Sequence, residues 1–330
     1  MKVGIVGCGL VGTKRASVLG THDLVRCADL DLTRAEALAA QHPGALPTAD
    51  PRTIFEDDSI EVVIVATPHN MLASCALSAA RAGKHVLVEK PAGRSTIEVQ
   101  QLYVEACHRR VVVRVGFNHR FHPALQRAHT IFEEGGIGDL MYIRGRYGHG
   151  GRPGYEREWR ADPRASGGGE LLDQGSHLID LSRWFAGEIT EVSGHVGTFF
   201  WPMPVEDNAF VYLKSAGGVV AWLHASWTEW KNTFSFEVFG RTGKLQVDGL
   251  GGSYGTERLT YYRMLPEMGP PETTSWEFPG EDRSWRNEFD NFVSCAQGAG
   301  GSTSASAQDA LGNLRIVEEL YRLNHRDYYA

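Results

Sequence analysis

Five cysteines are scattered through the 330 residues, at Cys8, Cys27, Cys75, Cys107 and Cys295. None has the paired spacing of a zinc site or a disulfide framework, so neither is expected, and reduced thiols in a cytoplasm are. No apolar run approaches the length of a membrane span, and because Met1-Lys2 leads straight into a strand no signal peptide is expected. A membrane partner is therefore not expected. Lysine and arginine never gather into a run that could track a phosphate backbone, and the formal charge is -7, which argues against nucleic acid. The length is generous for one core and comfortable for two.

What is present begins with a strand over residues 3–6, the turn Gly7-Cys8-Gly9-Leu10-Val11-Gly12, and a helix running to residue 19. This is GxGxxG between strand and helix. Gly7 permits the tight turn, Gly9 lets backbone approach a pyrophosphate, Gly12 lets helix pack on strand, and the helix's unpaired amides face the phosphates. A second strand, 24–28, ends on Asp29, where an acid would meet the ribose hydroxyls of NAD. NADP is disfavoured because its 2'-phosphate would meet like charge worth about 1 to 4 kcal/mol near a surface. Arg34 could rotate in and offset part of that.

Further strands and helices alternate. Residues 62–66 form a buried strand ending on Thr67-Pro68-His69-Asn70, and helix 71–81 stops near Gly83. The next strand ends on Glu89-Lys90-Pro91, helix 96–108 follows, and strand 111–115 leads into Gly116-Phe117-Asn118-His119-Arg120. Pro91 carries no amide donor and disfavours helical geometry before it, so Lys90 should be extended at the carboxyl edge of the sheet, where α/β folds bind ligands. The pattern predicts a doubly wound Rossmann domain over residues 1–120.

The rest, residues 121–330, reads as an α+β domain. Glycines 135, 136 and 138 end the helix that follows Pro123, and strand 140–147 opens a new sheet. Residues 148–155 are too glycine-rich for regular structure and read either as a substrate loop or as a mobile surface loop with solvated arginines. Tyr155 and Trp159 could pack on sugar C–H faces, and Arg152, Arg157 and Arg160 could meet hydroxyls, a carboxylate or a phosphate. After Gly167-Gly168-Gly169, helical spacing over 171–185 sets Asp173 and His177 on one face. They could be two metal ligands, a solvated pair or a proton-transfer pair, and no third ligand follows. Strands are expected at 192–200, 209–213, 219–227, 234–239 and 245–248, with Trp222, Trp227, Phe234, Phe236 and Val238 as apolar surface for core, the default, or for a subunit contact. Helices over 285–296 and 305–324 finish the chain, joined by a plain connector over 298–306. His119 and His122 are read as structural or pocket-lining.

Taken together, Gly7 to Gly12, Ala66-Thr67-Pro68, Ala82 to Val86 running into Glu89-Lys90-Pro91, Phe117-Asn118-His119-Arg120-Phe121 and Gly167 to Asp180 resemble the Gfo/Idh/MocA family of NAD(P)-dependent oxidoreductases. The resemblance implies an open, mainly antiparallel second sheet whose outer face serves a homodimer or homotetramer, and a cis Lys90-Pro91 bond. It implies cofactor contacts from Gly7, Gly9, Leu10, Val11, Gly12, Asp29, Arg34, Ala66, Thr67, Pro68, His69, Glu89, Lys90 and Asn118. Substrate would meet Lys90, Arg120, Arg152, Tyr155, Trp159, Arg160, Asp173 and His177, with Lys90, Asp173 and His177 catalytic. The expected activity is hydride transfer between NAD and a carbinol carbon of a sugar, cyclitol or sugar derivative, including a nucleotide sugar, with His177 or Lys90 as base. Two alternatives stand beside it: a redox-neutral glycosidase or lyase that uses NAD transiently, and a non-catalytic NAD-binding regulator.

Overall fold

A computed structural model describes residues 1–299 and 303–328. The chain forms two compact units, Met1–Asn118 with Trp285–Leu314, and His119–Ser284 with the segment from Arg315 onward.

The first unit alternates β1 (Lys2–Val6), α1 (Leu10–Ser17), β2 (Asp23–Ala28), α2 (Leu32–Ala39), β3 (Leu46–Thr48), α3 (Arg52–Phe55), β4 (Val62–Val65), α4 (His69–Arg81), β5 (His85–Glu89), α5 (Thr96–Arg109) and β6 (Val113–Gly116). Val62, Val63, Ile64 and Val65 are all fully buried, as a parallel strand covered on both faces requires. The sheet order β3-β2-β1-β4-β5-β6 is that of dinucleotide-binding sheets, and its order reverses between β1 and β4. Alanines 73, 76, 79 and 80 make up much of the buried face of α4, with Leu72 and Cys75, and are small enough to let the helix lie close on the strands.

The expected division into consecutive blocks leaves out the return of Trp285–Leu314 to this unit. The physical reason lies in α9 (Ser284–Ala296), whose Phe289, Phe292 and Val293 join Val3, Ile5, Leu38 and Ile64 in one core cluster. The segment expected to be a plain connector also contributes a strand, because Ala305–Ser306 pairs antiparallel with β6. Residues 300–302 of that connector lie outside the described residues.

Arg15 of α1 ties these pieces together. Its side chain has no exposed surface, and its Nε and Nη1 meet Glu89 at 2.5 Å and Glu288 at 2.7 Å. The ring of Trp285 covers the guanidinium at 4.3 Å. Burial alone would weaken the charge, but the two carboxylates raise the arginine's proton affinity instead. Gly116 leaves the room, since a Cβ there would stand 2.7 Å from Arg15 Nη2.

The second unit holds α6 (Pro123–Glu133), β7 (Leu140–Gly148), α7 (Pro163–Ser166), α8 (Ser176–Ala186), β8 (Ile189–Gly197), β9 (Asn208–Ser215), β10 (Val220–Ser226), β11 (Thr233–Gly240), β12 (Gly243–Asp248), β13 (Glu257–Arg263) and β14 (Glu272–Phe278). The eight strands run in the order β14-β13-β12-β11-β7-β10-β9-β8. Only β7 and β10 pair in parallel; the other neighbours are antiparallel. A Cβ on Gly145 would lie 3.0 to 3.2 Å from Leu223, Leu178 and Phe236, so this glycine is what lets α8 settle on the sheet. Neither β13 nor β14 was expected; β14 reads Glu-Thr-Thr-Ser-Trp-Glu-Phe with no fully buried position, so it carries no apolar alternation to detect. Trp227, Phe234, Phe236 and Val238 are buried as expected, whereas Trp222 is 58% exposed on the opposite face. Helix α10 (Ala307–Leu323) ends the described architecture, and no helix among the described residues is long and apolar enough to cross a membrane.

Arg15→Met leaves two buried carboxylates without their cation and should cost about 3–5 kcal/mol in urea unfolding. A loss below about 1 kcal/mol would mean that the triad is not what holds α9 to the sheet.

Candidate active site

In the first unit the glycine turn is built as its spacing demands. Gly7 sits at φ +96°, a left-handed geometry open to glycine, and a Cβ there would reach 2.5 Å from Ala66 O. A Cβ on Gly12 would stand 1.8 Å from Gly7 O, whereas the same atom on Gly9 would meet nothing within 4 Å. Gly9 therefore presents open backbone, and α1 starts behind it with no side-chain cap on its first amides. Leu10 is 89% exposed at that start, and Val11 follows it on the same turn.

Asp29 closes the other side. Its Oδ2 accepts from Cys8 N at 2.8 Å and its Oδ1 from Asp31 N at 2.9 Å, which pins the glycine turn to the end of β2. Arg34 lies beside Asp31 at 3.3 Å, largely exposed. At the β4 edge, Ala66 N donates to Val6 O at 2.7 Å, and the buried Thr67 Oγ1 has no partner among the described residues. Pro68 opens α4 and His69 is buried in its first turn. Open backbone over Gly9, uncapped helix amides, the Asp29 carboxyl at the end of β2 and an unmet Thr67 hydroxyl fit a dinucleotide. At the end of β5, Glu89 is held by Arg15, the Lys90-Pro91 bond is cis, and Lys90 is half-buried. Asn118 opens a one-turn 3-10 helix, Asn118–Phe121, and is buried.

In the second unit, His177 and Asp173 do not share one continuous α-helix. Leu171–Gly175 is a π-helical turn and α8 begins only at Ser176. Such turns are rare and recur at functional sites. The His177 ring is 5% exposed and stacks on His119 with centroids 3.8 Å apart. Tyr147 flanks His119 at 5.1 Å, and Tyr254 flanks Tyr147 at 5.3 Å. Burial raises both phenols above their ordinary range, so they keep their protons and remain donors. Gln174 Nε2 donates to Tyr254 Oη at 3.2 Å. His149 accepts from Gly151 N through Nδ1 at 2.9 Å, and burial lowers its proton affinity, which makes it a neutral ring with the proton on Nε2.

The arginine loop differs from expectation. Beyond Gly154 it is two 3-10 turns, Tyr155–Arg157 and Trp159–Ala161, leading into α7. Tyr155 is 4% exposed and packs against His149, Trp201 and Trp227, a core position and not an open sugar platform. Trp159 is half-buried under Arg160, whose Nε donates to Asp173 Oδ2 at 3.0 Å. Arg152 pairs with Glu158 at 2.5 Å and Arg157 with Glu156 at 3.3 Å. Arg120, expected at the substrate, is buried with two bonds to Asp180, at 2.8 and 2.6 Å, which lock the Asn118–Phe121 turn to α8. His122 is structural, facing Glu257 at 2.9 Å. Sequence reasoning missed Tyr147, His149 and Tyr254. Alternation in β7 put Tyr147 on the inner face, but no local signal marks Tyr254 or His149 within glycine-rich loops.

Two family models match the chain: one described as oxidoreductase family, NAD-binding Rossmann fold, over residues 1–117, and one as the GFO/IDH/MocA C-terminal domain, over 125–246. Human trans-1,2-dihydrobenzene-1,2-diol dehydrogenase is 31% identical over 258 residues, covering 75% of this chain and 74% of that protein. Levoglucosan dehydrogenase of Pseudarthrobacter phenanthrenivorans is 30% identical over 225 residues, 60% of this chain and 58% of its own length. A solved levoglucosan dehydrogenase in complex with NADH and levoglucosan superposes with a TM-score of 0.87 at 25% identity, covering 98% of this chain and 97% of that one.

The glycine geometry predicts a split outcome. Gly9→Ala should fold with a near-unchanged melting temperature yet bind NAD at least about tenfold more weakly in a fluorescence titration. Gly12→Ala, with its Cβ inside Gly7 O, should lose folded protein as well.

Proposed function

The chain belongs to the GFO/IDH/MocA oxidoreductase family, and from that premise we propose that it is an NAD-dependent dehydrogenase acting on a CH–OH group of a neutral sugar or cyclitol. Its relatives point the same way: those most similar include dehydrogenases named for levoglucosan, inositol and a dihydrobenzene diol. The observation that carries the catalytic reading is the buried His177 imidazole, stacked on His119 directly after a π-helical turn that bears Asp173.

When bound, NAD supplies the two-electron acceptor for the carbinol C–H. Gly9 and the first amides of α1 hold its pyrophosphate, and Asp29 takes the ribose hydroxyls with the lone pairs that Cys8 and Asp31 leave free. Leu10, Val11, Ala66, Thr67, Pro68, His69, Glu89 and Asn118 complete that cradle. Arg34 pairs with Asp31 at the surface, 61% exposed and within reach of the ribose end, and the charge of Asp29 favours NAD over NADP. His177 removes the hydroxyl proton, since imidazole titrates near neutral pH. Asp173 orients it or a second substrate hydroxyl, and Lys90 donates to the reacting oxygen and stabilises developing alkoxide charge. His119, stacked on His177, holds the plane of the base.

The substrate class follows from charge. Arg152, Arg157 and Arg160 each already face a carboxylate, from Glu158, Glu156 and Asp173. The Arg152 and Arg157 pairs are exposed and weak, but Arg160–Asp173 is largely buried, and a uronate, phosphate or nucleotide sugar recruiting Arg160 would have to break it, whereas a neutral polyol leaves it intact. Neutral Tyr147, 6.2 Å from the His177 ring, and Tyr254, packed on Tyr147, add hydroxyl donors to this cluster. Trp222 and Phe210, 58% and 43% exposed on the outer sheet face, are the apolar surface for a homodimer or homotetramer. Free thiols at all five cysteines fit a cytoplasmic location.

His177→Ala should lower turnover by about 10²-fold or more while NAD affinity stays near wild type; full turnover would remove His177 from the mechanism. Asp29→Ala should weaken NAD more than NADP, and an equal loss on both would undo the ribose assignment. In a screen of NAD reduction, cyclitols, anhydrosugars and aldoses should be oxidised and uronates and nucleotide sugars left untouched. The reverse pattern would reject the neutral-substrate reading, and retained NAD with no net NADH would favour redox-neutral chemistry.

A further inference from the structure

The run Gly167-Gly168-Gly169 has a cause outside its own segment. Glu206 is wholly buried, and its Oε1 accepts from Gly169 N at 3.0 Å, Leu171 N at 3.1 Å and Tyr321 Oη at 2.8 Å. Its backbone carbonyl accepts from Glu170 N at 3.0 Å. A Cβ on Gly169 would stand 2.0 Å from that carbonyl oxygen, and one on Gly168 would stand 2.1 Å from Tyr321 Oη. Gly167, at φ +78°, turns the chain out of α7. The glycines therefore let the backbone close onto one carboxyl group and one phenol.

The π-helical turn that starts here has no side-chain cap of its own, so the amides of Gly169 and Leu171 would be unmet without Glu206. Asp173 lies two residues past the second of them, and its own amide donates to Gly169 O at 3.0 Å. His177 follows one turn later, on α8. We infer that Glu206 is a positioning residue for the oxidation: by holding the Gly169 and Leu171 amides it sets the path of the π-helical turn, and with it the places of Asp173 and His177. The inference rests on the reading of those two residues as catalytic. Tyr321, from α10, is the brace that fixes the carboxyl.

Burial raises the Glu206 carboxyl above the ordinary range, against the lowering effect of Tyr321. The geometry asks only for an acceptor at Oε1, which a carboxylic acid, a carboxylate and the carboxamide of glutamine all supply. Glu206→Gln thus keeps the contact and Glu206→Ala removes it.

Steady-state kinetics, NAD titration and thermal melting of E206A, E206Q, Y321F and H177A, measured well below every melting point, decide it. E206A should lower kcat at least about tenfold, with the substrate KM and NAD affinity within about threefold of wild type, because misplaced catalytic groups weaken the transition state more than the ground state. E206Q should recover most of that loss. Y321F, a milder change that keeps the apolar packing, should show a smaller fall in kcat of the same kind and stands in if E206A does not fold. A merely structural Glu206 would lower the melting temperature and leave kcat of the folded enzyme alone, and wild-type kcat in folded E206A or Y321F overturns the inference. So does an E206Q as impaired as E206A. Wild-type turnover in H177A would instead overturn the catalytic reading beneath it, whatever the Glu206 variants do.

Discussion

A guanidinium with no exposed surface must be matched by charge from its surroundings, and Arg15 is matched twice, by Glu89 at the end of β5 and by Glu288 on α9. That requirement connects three stretches far apart in the chain. It places α1, which carries the glycine turn, against the strand end that carries Lys90. It also draws a helix from beyond residue 284 into the first unit, where Phe289 and Phe292 then fill the core. Apolar burial supplies the larger free energy there, but it is indifferent to a helix's register. The ion pairs are directional, and they specify which face of α9 meets the sheet.

The second unit uses buried carboxylates in the same way, at places where the backbone leaves regular structure. Asp207 accepts from Phe199 N, Phe200 N and Trp201 N at 2.8 to 2.9 Å, Glu257 caps the start of α6 at 2.6 Å, and Asp180 holds Arg120. Each gives acceptors to amides or a guanidinium that no ladder or helix can satisfy. Glu206 belongs with them. The cost of burying an acid is offset by several donors at once, and a buried acid deprived of them would be expensive, so the loop has few alternative conformations. Irregular backbone made rigid in this way can carry chemistry that an exposed loop could not hold still.

The sequence made the dinucleotide half readable because its rules are local. Gly7, Gly9 and Gly12 do different jobs within six residues, and Asp29 stands at the end of the following strand; all four are where their spacing implied. The fully apolar run at 62–65 likewise announces a strand covered on both faces. The sheet of the second unit was legible only where alternation is strong. β11, with Phe234, Phe236 and Val238 buried, is clear, and β14, with none of its positions fully buried, is not. Tyr155 misled for a related reason: a tyrosine in a glycine-rich stretch looks like a mobile platform until Trp201 and Trp227 are brought around it.

By itself the sequence determined the glycine turn, which depends on spacing along one stretch of chain, and its resemblance to the family marked Asp29, Lys90, Asp173 and His177 as residues worth testing. Only the tertiary structure decided which charges are spent on the protein itself. Arg120 goes to Asp180, Arg160 to Asp173 and Arg15 to two glutamates, and His177 gains His119 as its neighbour. Partnerships between side chains tens of residues apart are set by how elements pack, and a guanidinium reads the same in sequence whether it will meet a substrate, a carboxylate or water.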